Sequence, residues 1–201
     1  MEAWVSRALA RWPDVPALFG WLALDRRGRW LIRGEVITRP QIVDTINRNY
    51  AADAQGRWYF QNGPQRGYIA LAYAPFVLST NDDGATLQTH TRERIASATA
   101  AYIDEQGSLL LMTPFGAGLL LDAELDWALA RLKCAHRPID DAALAAALEQ
   151  PSGTITDLEL DFGAEPLTLI RLDRADAPTK LGFVRDPQPS ADESGMKKTA
   201  R

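Results

Sequence analysis

Short blocks of alternating hydrophobic and polar residues run along this chain, separated by a recurring four-residue punctuation. Leu18 to Leu24 and Arg29 to Arg33 read as two strands of a hairpin rich in Trp, Leu and Ile, joined by Asp25-Arg26-Arg27-Gly28. The same Asp/Asn-x-x-Gly form recurs at Asp53-Ala54-Gln55-Gly56, Asn81-Asp82-Asp83-Gly84 and Asp104-Glu105-Gln106-Gly107, each time ahead of strand-forming residues. Asp or Asn at the first position bonds the backbone two residues on, and Gly at the fourth accepts a left-handed conformation, so four reverse turns are expected. Two of them extend to Asp-x-x-Gly-Arg-Trp, at 25–30 and 53–58.

Helical spacing appears in few places. Trp4, Val5, Ala8, Leu9 and Trp12 suggest a short N-terminal helix that docks on the protein's own core. Thr38, Pro40 and Gln41 form a Thr-x-x-Gln capping box, ahead of the apolar stripe Ile42, Val43 and Ile46. Leu121, Leu125, Ala128, Leu129 and Leu132 predict another helix, and Asp141 to Glu149 a further one after Pro138-Ile139-Asp140. Between these lie strands at Trp58 to Phe60, Tyr68 to Ala72 and Phe76 to Thr80, then Ala85 to Thr91, Ile95 to Ile103 and Ser108 to Met112. A meander over Thr154 to Phe162, Pro166 to Leu172 and Lys180 to Val184 closes the chain before a polar tail.

A shift of fifty-one positions aligns Asp53 with Asp104, Gly56 with Gly107, Phe60 with Leu111 and Phe76 with Trp127. The expected fold is therefore α+β: two similar strand/helix motifs with mostly antiparallel sheets, an internal duplication, preceded by the short helix. The first motif is expected at 1–80, the second at 81–186 and a disordered tail at 187–201.

Composition narrows the function more by exclusion than by indication. The net charge of −4 argues against a nucleic-acid or anionic-membrane partner. The single cysteine, Cys134, excludes an intramolecular disulfide framework and fits a cytoplasmic location. No apolar run reads as a signal peptide or membrane span.

Several constellations resemble chemistry and read better as structure. Asp157, Glu159 and Asp161 project from one strand face without a converging second element, so no metal is assigned. Cys134 and His136 lie two apart in a loop, and His90 stands alone without a nucleophile elbow, so no catalytic residue is assigned either. Thr113-Pro114-Phe115-Gly116-Ala117-Gly118 lacks the Lys of a phosphate loop and reads as a tight turn, and no cofactor is expected. The densest polar cluster, Gln61-Asn62-Gly63-Pro64-Gln65-Arg66, follows Trp58-Tyr59-Phe60 and precedes Tyr68. Amides and a guanidinium beside aromatic rings suit a peptide backbone, a carboxylate or a planar ligand. Gln61, Asn62, Gln65, Arg66, Trp58 and Tyr68 are accordingly the candidate ligand- or partner-binding residues, with a loop plug that closes the sheet as the structural alternative.

Asp25-x-x-Gly28-x-Trp30, Gly34-x-x-Ile37-x-Arg39, Val43, Trp58-Tyr59, Pro64 and Ala74-Pro75-Phe76-Val77 carry a resemblance over about residues 18 to 80. The pattern is similar to that of an uncharacterised, mainly proteobacterial family known only as a domain of unknown function. That resemblance implies an α+β fold with repeated motifs and a link to bacterial signalling or regulation, with no catalytic residues to carry over. Where that family tends to have Thr-Pro-x-Glu-Lys, this chain has Asn62-Gly63-Pro64-Gln65-Arg66, which loses an acid. The function expected is a non-enzymatic binding or adaptor protein that takes a peptide, a protein or a small molecule. The alternative is a small-ligand binder or enzyme with a pocket between the motifs, charged by Arg66, Arg39 and Glu35.

Overall fold

The four turns form as their residues demand. In each, the glycine N–H donates to the carbonyl of the first residue, at 2.8–3.1 Å, and the glycine takes a positive φ between 62° and 82°. The computed structural model describes residues 17–190. The helix expected over Trp4 to Trp12 and the tail from Ala191 onward lie outside the described residues. The chain divides into two compact units, residues 1–72 with 183–201, and residues 73–182.

In the first unit, β1 (Ala17–Leu24), β2 (Trp30–Ile32) and β3 (Glu35–Val36) precede α1 (Pro40–Arg48), which leads into β4 (Tyr50–Ala52), β5 (Trp58–Asn62) and β6 (Gln65–Leu71). Among the described residues these make a six-stranded sheet in the order β3-β2-β1-β6-β5-β4, antiparallel except where β1 meets β6. Leu18, Leu22, Leu24, Trp30, Ile32, Phe60, Ile69 and Leu71 are buried, and the strand registers put them on one face. Trp30 Nε1 ties that face to α1 through a 2.7 Å bond to Asn47 Oδ1. The helix begins one residue later than the capping box predicts. Pro40 takes the first helical position, so Arg39 occupies the cap and no side chain caps the end.

The chain returns to this unit at Phe183. Val184 donates to Gly56 O at 2.9 Å, Leu71 donates to Arg185 O at 2.7 Å, and Arg57 Nη1 reaches Gln188 O at 3.3 Å. Pro187 is buried and Gln188 O accepts from Arg57, at the start of the segment expected as a tail.

In the second unit β7 (Phe76–Thr80), β8 (Leu87–Thr89), β9 (Arg94–Ile95), β10 (Ala100–Ile103), β11 (Leu109–Thr113) and β12 (Gly116–Leu120) come first. A 3-10 turn and α2 (Leu125–Leu129) follow, then β13 (Leu132–Cys134), β14 (Arg137–Pro138), α3 (Asp141–Leu148), β15 (Ile155–Leu160), β16 (Leu167–Arg171) and α4 (Ala177–Leu181). The sheet order is β14-β13-β15-β16-β10-β11-β12-β7-β8-β9, with parallel pairing only at β7–β12 and β10–β16 among the described residues. Mixed, mainly antiparallel sheets with few helices are thus what the sequence folds into.

Three expectations change here. The strand at Phe76 to Thr80, grouped above with the first motif, pairs with β8 and β12 in the second sheet. The helix expected through Leu132 is five residues long, and Leu132 pairs with Leu160 as a strand residue. The strand expected at Lys180 to Val184 is the end of α4, where Pro178 sits in the first turn and Gly182 closes the helix in the left-handed conformation.

The order β9-β8-β7-β12-β11-β10 inside the larger sheet repeats β3-β2-β1-β6-β5-β4, including the parallel central pair. Phe60 opposes Gly67 as Leu111 opposes Gly118, and Tyr59 opposes Tyr68 as Leu110 opposes Leu119, all at the fifty-one-residue offset. The offset fails at Phe76 and Trp127, one in a strand and the other in a helix. Gly118 is required by close packing, because a Cβ there would stand 2.6 Å from the Leu78 side chain.

Candidate functional site

The cluster expected as a loop is a tight hairpin. β5 and β6 stay paired to Asn62 and Gln65, leaving only Gly63 and Pro64 as the turn. Strand alternation then divides the six candidate residues between the two faces. Gln61, Arg66 and Tyr68 share one face with Tyr59, while Trp58, Asn62 and Gln65 lie on the other with Phe60. Trp58 belongs to the aromatic packing of the covered face, 4.7 Å from Tyr50, which meets Trp30 edge-on at 5.0 Å. Gln61 anchors the turn by donating from Nε2 to Gly63 O at 2.6 Å and Gln65 O at 3.2 Å.

The other face is a cationic and aromatic platform. Arg66 lies over the Tyr59 ring at 4.5 Å and donates from Nε to Gln61 Oε1 at 3.3 Å. Tyr59 meets Tyr68 edge-on at 5.8 Å, and Phe19 stacks on Tyr68 at 4.4 Å with an interplanar angle of 5°. Arg57 covers the Tyr68 ring from 4.5 Å, and on the adjoining strands Arg33 lies 3.6 Å above Trp21. Arg33, in the turn after β2, donates its N–H to Trp21 O, Leu22 pairs with Ile69, and Tyr59 pairs with Tyr68, so Arg33, Trp21, Tyr68 and Tyr59 follow one another from that turn across β1, β6 and β5. Tyr59, Phe19, Arg57, Trp21 and Arg33 did not figure in the sequence-based site. The signal that could have found them is period-two alternation in Arg57-Trp58-Tyr59-Phe60-Gln61, which puts every second residue on the platform.

The arginines on this face differ electrically. Arg57 is paired with Asp53 at 2.7 Å, and Tyr68 donates its hydroxyl to the same carboxylate at 3.2 Å. Burial pushes the Asp53 carboxyl up, but hydrogen bonds from the Arg57 side chain and from the Arg57 and Gln55 backbones outweigh it and hold the group below the usual carboxylate range. Arg66 and Arg33 are exposed and have no carboxylate partner among the described residues. The nearby Tyr68 hydroxyl, and then Tyr59, hold the Arg66 guanidinium further above its usual value, so that charge is permanent.

Charge is also unevenly divided between the units. Residues 73–182 hold eight Lys and Arg against seventeen Asp and Glu, a net of −9. The other unit holds fourteen against nine, a net of +5, and between residues 17 and 72 every cation is arginine. The total of −4 hides this separation.

The remaining sequence candidates resolve into structure. Asp161 pairs with Lys133 of β13 at 3.0 Å, and Glu159 lies 3.2 Å from His136 Nδ1 in the β13–β14 turn, so those carboxylates have local partners. Among the described residues no three His, Cys, Asp or Glu are grouped to hold a metal ion. Cys134 pairs in register with Arg137 across a two-residue turn, Ala135 and His136 both having positive φ, and His136 is 87% exposed. His90 Nδ1 accepts from Val77 N–H at 3.3 Å, and burial pushes its pKa down to about 3, so the ring is neutral and structural. Thr113 Oγ1 donates to Gly116 O at 2.7 Å within the β11–β12 hairpin. Glu35 lies in the edge strand β3, and Arg39 at the start of α1. A groove of about 310 Å³ between α3 and β15 is lined chiefly by Ala143, Ala146, Ala147, Cys134, Ile155 and Leu158, without convergent charges.

Among solved structures, the chain is similar to a DUF1285 family protein from Silicibacter pomeroyi DSS-3, at 16% identity and a TM-score of 0.52, covering 79% of this chain and 83% of that one. It is also similar to a DUF1285 family protein from Shewanella baltica OS155, at 13% identity and a TM-score of 0.35, covering 52% of this chain and 86% of that one. The first likeness concerns the fold alone. No curated protein matches the chain. The family model DUF2944, described as "Protein of unknown function (DUF2946)", matches residues 1–188, well beyond the span that carried the sequence resemblance, and the chain belongs to that family.

Proposed function

We propose that this chain is a non-enzymatic cytoplasmic binding or adaptor protein with a signalling or regulatory role, and that the face of the first unit's sheet where Arg33 and Arg66 are exposed, over a buried Tyr68, holds the partner. One observation carries the reading: Arg66 is an exposed cation lying over Tyr59 and braced by Gln61, with no carboxylate in a salt bridge to it among the described residues. Such an arrangement pre-orients a guanidinium fork before a partner arrives, which lowers the ordering cost of binding. The sheet edges support a face-on rather than edge-on mode. β3 and β4 have two and three residues, too short to template an added strand. We also read the two six-strand orders as copies of one motif, and only the first copy carries the cationic row. The lone Cys134 supports the cytoplasmic assignment.

Site-specific photocrosslinking in the full chain tests this. A crosslinker replacing Tyr59 is expected to capture a partner in cells, and Arg66→Ala to abolish the adduct. A crosslinker replacing exposed Asp157 serves as the control. Adducts from position 157 alone, or from neither position, would overturn the assignment.

A further inference from the structure

The row across the sheet indicates what kind of partner fits. We infer that the platform recognises an acidic peptide segment of another protein, lying across the strands, with one carboxylate on Arg66 and another on Arg33. This rests on the binding reading above and adds the ligand's chemistry.

Three observations combine. The unit is basic, at +5, and Arg33 and Arg66 are its exposed stacked cations without carboxylate partners among the described residues. A guanidinium held over a ring keeps N–H donors for a carboxylate, which it can take in two parallel bonds. The aromatic rings are already covered: Arg33 lies over Trp21, Arg66 over Tyr59, and Phe19 and Arg57 against Tyr68. Base stacking uses open ring faces, so this surface favours carboxylates over a single-stranded nucleic acid.

Strand order sets the spacing. Arg33 lies over Trp21 of β1 and Arg66 over Tyr59 of β5, two strand steps away. At the usual separation of neighbouring strands this is roughly 10 Å, or about three residues of extended peptide. The preferred ligand therefore carries carboxylates about three residues apart.

Fluorescence anisotropy with the full chain tests this. The probes are a labelled peptide of about ten residues with Glu at that spacing, the same peptide with Gln for Glu, and a single-stranded RNA of similar length. The Glu peptide is expected to bind, more weakly at higher salt, and the Gln peptide not to bind. Arg33→Ala and Arg66→Ala are each expected to weaken binding about tenfold, a loss of roughly 1.4 kcal/mol. Both residues are exposed, so the variants are expected to melt like the parent; Arg66→Lys should retain part of the affinity, by keeping charge without the fork. RNA binding tighter than the Glu peptide, Glu-peptide binding unchanged in both alanine variants, or no binding by any probe would overturn the acidic-peptide inference. Failure here leaves the crosslinking result at position 59 intact, whereas loss of that crosslink defeats the binding reading itself.

Discussion

Asp53 and Asp104 occupy equivalent turns, one between β4 and β5 and the other between β10 and β11, yet they use the same backbone device for different ends. Each accepts two N–H bonds from its own turn: Asp53 from Gln55 and Arg57, Asp104 from Gln106 and Ser108. Each also accepts a tyrosine hydroxyl, from Tyr68 at 3.2 Å and from Tyr73 at 2.6 Å. They part at the fifth residue. Arg57 adds a guanidinium to Asp53, whereas Ser108 leaves Asp104 fully buried and without a side-chain cation from the turn. One turn thus anchors Arg57 and the buried Tyr68 beneath the exposed arginines, and the other closes a core. A shared backbone therefore predicts a shared shape and says nothing about shared chemistry.

Removing each carboxylate is the strongest way to break the comparison. Asp104→Ala removes a fully buried carboxylate that accepts from two turn N–H groups and from the Tyr73 hydroxyl, and is expected to cost about 3 kcal/mol in urea unfolding. Asp53→Ala loses as many bonds plus an ion pair, but Arg57 keeps the Tyr68 hydroxyl and the Gln188 carbonyl as acceptors. Its expected cost is smaller, about 2 kcal/mol. Equal losses, or a larger loss at Asp53, would mean that the cation matters more than closure.

The same contrast explains what could be read from the chain. All four turns were legible because Asp and Gly impose a backbone whatever surrounds them, and their order located most strands. Partner choice across space was not legible. Nothing local tells that Asp53 holds Tyr68 or that Asp104 holds Tyr73. Lys180 to Val184 looked strand-like through Leu181, Phe183 and Val184, but Pro178 and Gly182 bracket a helix end. In the site, Gln61, Arg66 and Tyr68 emerged on one face, while Trp58, Asn62 and Gln65 were turned away by pairing that continues to the two-residue turn. The basic character of the first unit was lost in the total of −4, since nothing in the linear order says that the chain returns to that unit at Phe183.

Titration gives a smaller, more selective probe. The folded carboxyl of Asp53 lies below its unfolded value, so the unfolded chain binds the proton more readily. Its contribution is therefore complete above the unfolded value of about 4 and is lost as pH falls through the lower folded value. Asp53→Asn removes this dependence while keeping the turn's hydrogen-bond acceptor. Unfolding free energy measured between neutral and strongly acidic pH is expected to show the gap between parent and Asp53→Asn shrinking as pH falls. A gap that stays constant would show that the ionised Asp53 carboxylate contributes nothing net over the amide.

The smallest expected effect tests the shared half of the comparison directly. Gly56 and Gly107 close the two turns with φ of 76° and 82°. A Cβ at Gly107 would meet nothing within 4 Å, so alanine there carries a backbone penalty and no packing penalty. Because the conformations agree, Gly56→Ala and Gly107→Ala are each expected to cost about 1 kcal/mol, and the asparagine variants less, since Asn tolerates the left-handed region. Matching losses at the two glycines, set against unequal losses at the two aspartates, would separate the backbone the turns share from the side-chain environments that distinguish them. If the glycine losses differ by as much as the aspartate losses do, the turns are not equivalent in energy, and the resemblance of the two strand orders is one of outline only.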